Sequence, residues 1–104
     1  MLDLVTQKDF KKYRIINYWI LKSLNMMGVI EYQILGHTLV NGGFVTLGKY
    51  SSSEKAKKVF EEMIEAEEKQ KSIDIKWMGV NGEDFGVSYK DFKIYKMPKD
   101  DEVI

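Results

Sequence analysis

Ser51-Ser52-Ser53-Glu54 stands directly before Ala56, Val59, Phe60, Met63, Ile64 and Ala66, apolar residues that recur at steps of three and four. That spacing gathers them into one stripe on a helix. The Ser51 hydroxyl is placed to cap the first-turn amides, and Glu54, three positions on, completes a capping box. Glu61, Glu62, Glu65, Glu67 and Glu68 fall mainly to the sides and back of the stripe, while Lys69 and Lys71 sit where a helix end favours cations. The pattern predicts one long amphipathic helix over about 52–69. A helix with a single apolar stripe needs a surface to bury it against, and the rest of the chain has to supply that surface.

The flanking segments read as sheet. From Val29 to Val40, Ile30, Tyr32 and Ile34 alternate with Glu31 and Gln33, the period-two pattern of a strand with one wet face. Asn41-Gly42-Gly43 gives the backbone freedom for a tight reversal, and Phe44 to Tyr50 returns as a second strand leading into the helix. Beyond the helix, Ile73, Ile75 and Trp77 alternate with Asp74, Lys76 and Met78; Asn81-Gly82 marks a turn, and Phe85, Val87 and Tyr89 alternate again. The phase breaks near Lys90-Asp91, as at a bulge or turn, and Pro98 ends the element. The first 28 residues fit two templates. Tyr13, Ile15 and Trp19 suit a strand with imperfect alternation, whereas Ile16, Ile20, Leu24 and Met27 make a helical stripe. The dominance of Tyr, Ile and Trp favours strands at about 2–6 and 13–21. The expected fold is α+β: a mostly antiparallel sheet of about four to six strands covered by one helix, in the order ββββαββ. Residues 1–98 are expected to form a single domain, with 99–104 a mobile tail.

With 104 residues the chain suffices for one core and is short for two. It has no cysteine, which removes disulfides, thiol nucleophiles and thiolate zinc sites from consideration. Its beginning, Met1-Leu2-Asp3-Leu4, lacks the pattern of a secretory leader, and the run from Ile15 to Leu21 is far too short to span a bilayer. The cytoplasm is therefore the expected compartment. The formal net charge is zero, yet residues 1–49 carry six Lys/Arg against three Asp/Glu and residues 50–104 carry ten Lys against thirteen Asp/Glu. Such an offset can orient a partner or a second copy.

Leu47-Gly48-Lys49-Tyr50, the three serines that follow, and Ala56-Lys57-Lys58-Val59 form a strand end and helix start. This segment resembles small uncharacterised proteins of Firmicutes and their phages, in which a Leu-Gly-x-Tyr strand end precedes serines and an Ala-Lys-Lys-Val helix. The opening Leu2-Asp3-Leu4-Val5 and the close Tyr95-Lys96-Met97-Pro98 look similar to theirs as well. The resemblance implies a phage, prophage or mobile-element accessory role in a Gram-positive host and carries over no catalytic residue.

His37 is the one histidine, so imidazole-based catalysis or metal binding would have to use it. It lies within the first hairpin on the Glu31/Gln33 face, where a packed or solvated structural histidine is expected. The helical glutamates are expected to serve solvation and pairing with lysines. No phosphate-binding loop, calcium loop or His-Glu-x-x-His occurs. No enzyme, metal or cofactor is expected. Six tyrosines, five phenylalanines, two tryptophans and six methionines exceed what one helix-covered face needs. Tyr13, Tyr18, Trp19, Met26 and Met27 are the candidate contacts to a protein partner or to a second copy in a homodimer. As an alternative, Lys8, Lys11, Lys12, Arg14 and Lys22, interleaved with aromatics, outline a weak nucleic-acid surface, although a single arginine and zero net charge argue against strong backbone affinity. A self-assembling phage component is the third expectation.

Overall fold

The structure, a computed structural model, describes residues 1–38, 43–78 and 94–104, and for 72–78 the backbone alone. Strands β1 (Leu2–Val5), β2 (Lys12–Leu24), β3 (Ile30–Thr38) and β4 (Phe44–Tyr50) precede helix α1 (Ser53–Met78). A short strand β5 (Tyr95–Lys96) and a 3₁₀ turn (Asp100–Glu102) follow. The sheet order is β4-β3-β2-β1-β5, antiparallel throughout except for the parallel β1–β5 pair. This is the α+β arrangement of one helix on a mostly antiparallel sheet that the patterning predicts. Residues 2–5 and 12–24 are strands, which decides between the two templates for the start of the chain.

The core lies between sheet and helix. Leu2, Leu4, Ile15, Ile34, Leu47 and Tyr50 from the sheet meet Ala56, Val59 and Met63 from the helix, joined by Met97 and Val103. Two bulges shape it. Ile16 is an extra residue in β2 opposite the Thr38–His37 step, and Leu47 is an extra residue in β4 opposite Ile34–Leu35. Each bulge bends its strand and sharpens the twist. The sheet curls so far that the loop after β1 reaches β4, where the Gln7 amide donates to the Leu47 carbonyl at 2.9 Å. Gly36 sits at the tightest point, where a side chain would meet Ile15 and Leu47 at 2.9 Å.

Two glutamines complete the sheet with their side chains. Gln7 Oε1 accepts from the Lys49 amide at 2.8 Å, and its Nε2 donates to the Lys49 carbonyl at 3.2 Å and the Pro98 carbonyl at 3.0 Å. From the helix, the buried Gln70 accepts from the Asp3 amide at 2.7 Å and donates to the Asp3 carbonyl at 2.9 Å. A primary amide has the donor and acceptor of a peptide group, so each glutamine pairs with backbone as a neighbouring strand would.

Two expectations are corrected. The helix continues to Met78, through the segment that alternation assigned to a strand beginning at Ile73. Gln70, Ile73 and Trp77 also stand three and four apart, and neither Gly nor Pro interrupts the helix between Ala66 and Trp77. The cap is Ser52 in place of Ser51: the Ser52 hydroxyl accepts from the Lys55 amide at 3.2 Å. Ser51 is drawn away because its amide and hydroxyl both donate to Asp100, at 2.8 and 3.1 Å. Asp100 also pairs with Lys55 at 3.6 Å, and Val103 is buried in the core. The Asn41-Gly42 turn, the Asn81-Gly82 turn, the strand over Phe85–Tyr89 and the break at Lys90-Asp91 lie outside the described residues.

Candidate binding surfaces

The bulge at Ile16 changes which residues of β2 face the helix. Before it, Tyr13 and Ile15 turn inward; after it, Tyr18 and Ile20 do. Alternate residues of a strand point to opposite faces, so Tyr18 and Trp19 are necessarily separated. Tyr18 lies under the helix, edge-on to Phe60 at 5.2 Å, and its hydroxyl donates to Glu67 at 3.0 Å. Burial, with the Glu67 bond and carboxylates behind it, raises the Tyr18 pKa well above its ordinary value. This side chain is half-buried on the helix-covered face.

Trp19 emerges on the opposite face. Its indole meets the His37 ring edge-on at 5.2 Å and the Phe44 ring edge-on at 5.6 Å, and His37 and Phe44 lie 5.0 Å apart. The cross-strand register explains the grouping, because Phe44 pairs with His37 and Leu35 pairs with Trp19. Edge-on contacts of this kind are a preferred geometry for aromatic pairs and favour fixed ring positions. Phe44 remains 64% exposed and Leu21, next along the same face, 45%. The sheet thus has two faces: one under the helix and one, carrying Trp19, His37 and Phe44, that no described element covers.

Beyond Tyr32, where β4 ends its pairing, the β2–β3 hairpin projects. Its turn is fixed locally. The Asn25 side-chain oxygen accepts from the amides of Met27 and Val29 at 2.9 and 3.0 Å, and Gly28 takes a left-handed conformation with φ of 77°. Met26 and Met27 are held outward, almost fully exposed, flanked by exposed Leu24, Val29 and Ile30. Methionine at such a tip offers a polarisable, adaptable contact.

A crevice of about 620 Å³ opens where the curled ends of the sheet approach each other. Thr6 to Asp9, Tyr13, Val45 to Lys49 and Lys99 line it, so that Lys8, Lys49 and Lys99 share its rim with Asp9. On the adjoining loop Phe10 is exposed and holds a left-handed backbone with φ of 51°, a conformation that costs a bulky residue about 1 kcal/mol or more.

The basic residues expected to form one surface are divided. Lys8 lines the crevice, Lys11 and Lys12 are exposed at the start of β2, and Arg14 forms two hydrogen bonds with Asp3 at 3.0 and 3.2 Å. Lys22 lies ten residues beyond Lys12, roughly 33 Å along the strand and on its helix-facing side. Among the protein-contact candidates, Met26 and Met27 are exposed, Trp19 is half-buried on the outer face, Tyr13 lines the crevice and Tyr18 is half-buried on the helix-covered face.

Phe44, Leu21 and His37 do not stand out as contacts in the sequence. The signal lies in the hairpin register, which sets the residue after Gly43 opposite His37. Of the helical glutamates, Glu62 accepts from the Tyr95 hydroxyl at 2.9 Å and Glu67 from Tyr18. Among the described residues no three potential metal ligands cluster, and no helix is long and apolar enough to cross a membrane. Fold and surfaces together define an α+β protein with one helix-covered and one aromatic-bearing sheet face. Comparison with known protein families, curated proteins and solved structures finds no match for this chain.

Proposed function

We propose that this protein acts by binding another protein through the outer face of its sheet, with the β2–β3 hairpin tip as a second contact, and performs no chemistry of its own. The observation that carries the reading is the Trp19–His37–Phe44 cluster: rings in mutual contact on the outer face, with Phe44 exposed and Trp19 and His37 half-buried beside it. Aromatic side chains held rigidly at a surface lose little freedom on binding and commonly dominate interface energetics. A partner presenting one apolar side chain, ringed by polar groups that meet Asn17, Gln33, Thr46 and Lys49, suits this face. The division of the basic residues between strand faces supports a protein over a nucleic acid. The resemblance around residues 47–63 supports a phage or mobile-element accessory that modulates a host protein in the cytoplasm.

The test is capture from a nuclease-treated lysate of a Gram-positive host with tagged wild-type, Phe44→Ser and Trp19→Ala proteins, each checked for folding by circular dichroism. The expected result is one stoichiometric host protein whose affinity falls about tenfold or more in each variant. Equal retention by all three proteins, or retention of nucleic acid alone, would overturn the reading.

A further inference from the structure

Among the described residues, side chains and a short strand meet two of the strand edges. The edge of β4 is met by Gln7, and that of β1 by β5 and Gln70. The pairing of β1 with β2, however, stops at Leu2–Ile15. From Asn17 to Ser23, β2 is paired on its β3 side, and among the described residues no strand lies on the other. A run of unpaired strand edge is a template for another strand.

The sequence of this run is nearly self-complementary about Ile20. Two antiparallel copies related by a two-fold axis place residues whose numbers add to a constant opposite each other. With Ile20 on the axis, Asn17 faces Ser23, Tyr18 faces Lys22, Trp19 faces Leu21 and Ile20 faces itself. Polar thus meets polar and apolar meets apolar, and Lys22 approaches an aromatic ring. The charges match too. On the helix-facing side, Tyr18 stands against Glu67, with Glu68 near enough to act on its hydroxyl, so Lys22 of the second copy arrives beside two carboxylates.

From this open edge, its self-complementary run and the Lys22–Glu67/Glu68 match, we infer that two copies of the chain pair antiparallel through β2, joining their sheets into one. Both helices then lie on the same side, and the two Trp19–His37–Phe44 clusters become one continuous face. Pairing through the strand edge goes beyond the outer-face reading. It stands even if that face docks no partner, because its test requires no host protein.

The experiment is analytical ultracentrifugation of the full chain over a concentration series, which is expected to show a reversible monomer–dimer equilibrium. Lys22→Glu sets like charges together and should raise the dissociation constant about tenfold. Adding Glu68→Lys to that variant should return most of the affinity, and neither change touches the core. Because the chain has no cysteine, oxidation of the Ile20→Cys protein should give a covalent dimer if residue 20 faces its own copy. Ile20 packs partly against the core, so the paired substitution Asn17→Cys with Ser23→Cys provides the same test without disturbing it. A chain that is monomeric at every concentration overturns the inference. So does a dimer that is indifferent to Lys22→Glu and forms no crosslink at these positions.

Discussion

Asp100 shows how one side chain can tie the segment after β5 to the start of the helix. It receives the amide and hydroxyl of Ser51 and faces Lys55, and the Ser51 amide bond above all holds its carboxyl below the ordinary 3.8. A lowered carboxyl pKa contributes stability that is complete above the unfolded value and is lost as pH falls through the folded one. Three tyrosines act at the other extreme. Tyr18, Tyr50 and Tyr95 are raised chiefly by burial, and their hydroxyls donate to Glu67, to the Pro98 carbonyl and to Glu62. Their contribution is complete below about pH 10 and is lost as pH rises further. Urea unfolding across pH should therefore show two limbs. The difference between wild type and Asp100→Asn should be constant near neutrality and shrink below about pH 4. On the alkaline side, phenolate absorbance from the three tyrosines should appear together with loss of helical circular dichroism, not before it.

At the scale of elements, the two bulges set the curvature of the sheet. They let β2, β3 and β4 curl, and the curl brings Ile15 and Leu47 together over Gly36. Gly36→Ala sets a methyl against two side chains that are themselves buried, so it should lower stability by about 1–3 kcal/mol, read from the midpoint of urea unfolding. Leu47→Val in the same protein, by making room, should recover part of the loss. The bulge at Ile16 also accounts for the ambiguity of this stretch in the sequence. With the inward phase odd before it and even after it, residues 13–21 alternate imperfectly and admit a helical reading, although they form one strand. The unbroken alternation of β3 and the serine-led stripe of α1 are legible because nothing interrupts their period. The end of the helix is not, because Ile73, Ile75 and Trp77 satisfy a strand period while Gln70, Ile73 and Trp77 satisfy a helical one.

For the molecule as a whole, the decisive contact is one that no local pattern announces. Gln7 joins the loop after β1 to β4 and to the Pro98 carbonyl, 91 residues away, and so ties together parts of the sheet that are distant in its strand order. Nothing marks Gln7 in the sequence, since its partners are backbone groups that any residue supplies. The outer-face cluster is half legible for a similar reason: Trp19 stands out by type, but its neighbours Phe44 and His37 are set by register. Gln7→Ala removes three side-chain hydrogen bonds and should cost about 1–3 kcal/mol. Gln7→Glu should cost more, because a carboxylate still accepts from the Lys49 amide yet turns oxygen toward two carbonyls. Urea unfolding should rank the proteins wild type, Gln7→Ala, Gln7→Glu in falling stability.

The parallel pairing of β1 with β5 also bears on synthesis. As the chain leaves the ribosome, β1 emerges early and β2 soon after, so their hairpin can form while translation continues. The opposite side of β1 waits for Tyr95 and Lys96, and the core waits for Met97 and Val103. A nascent chain stalled short of those residues carries its first strand half-paired and its core unsealed, and in that interval it is most open to proteases and chaperones.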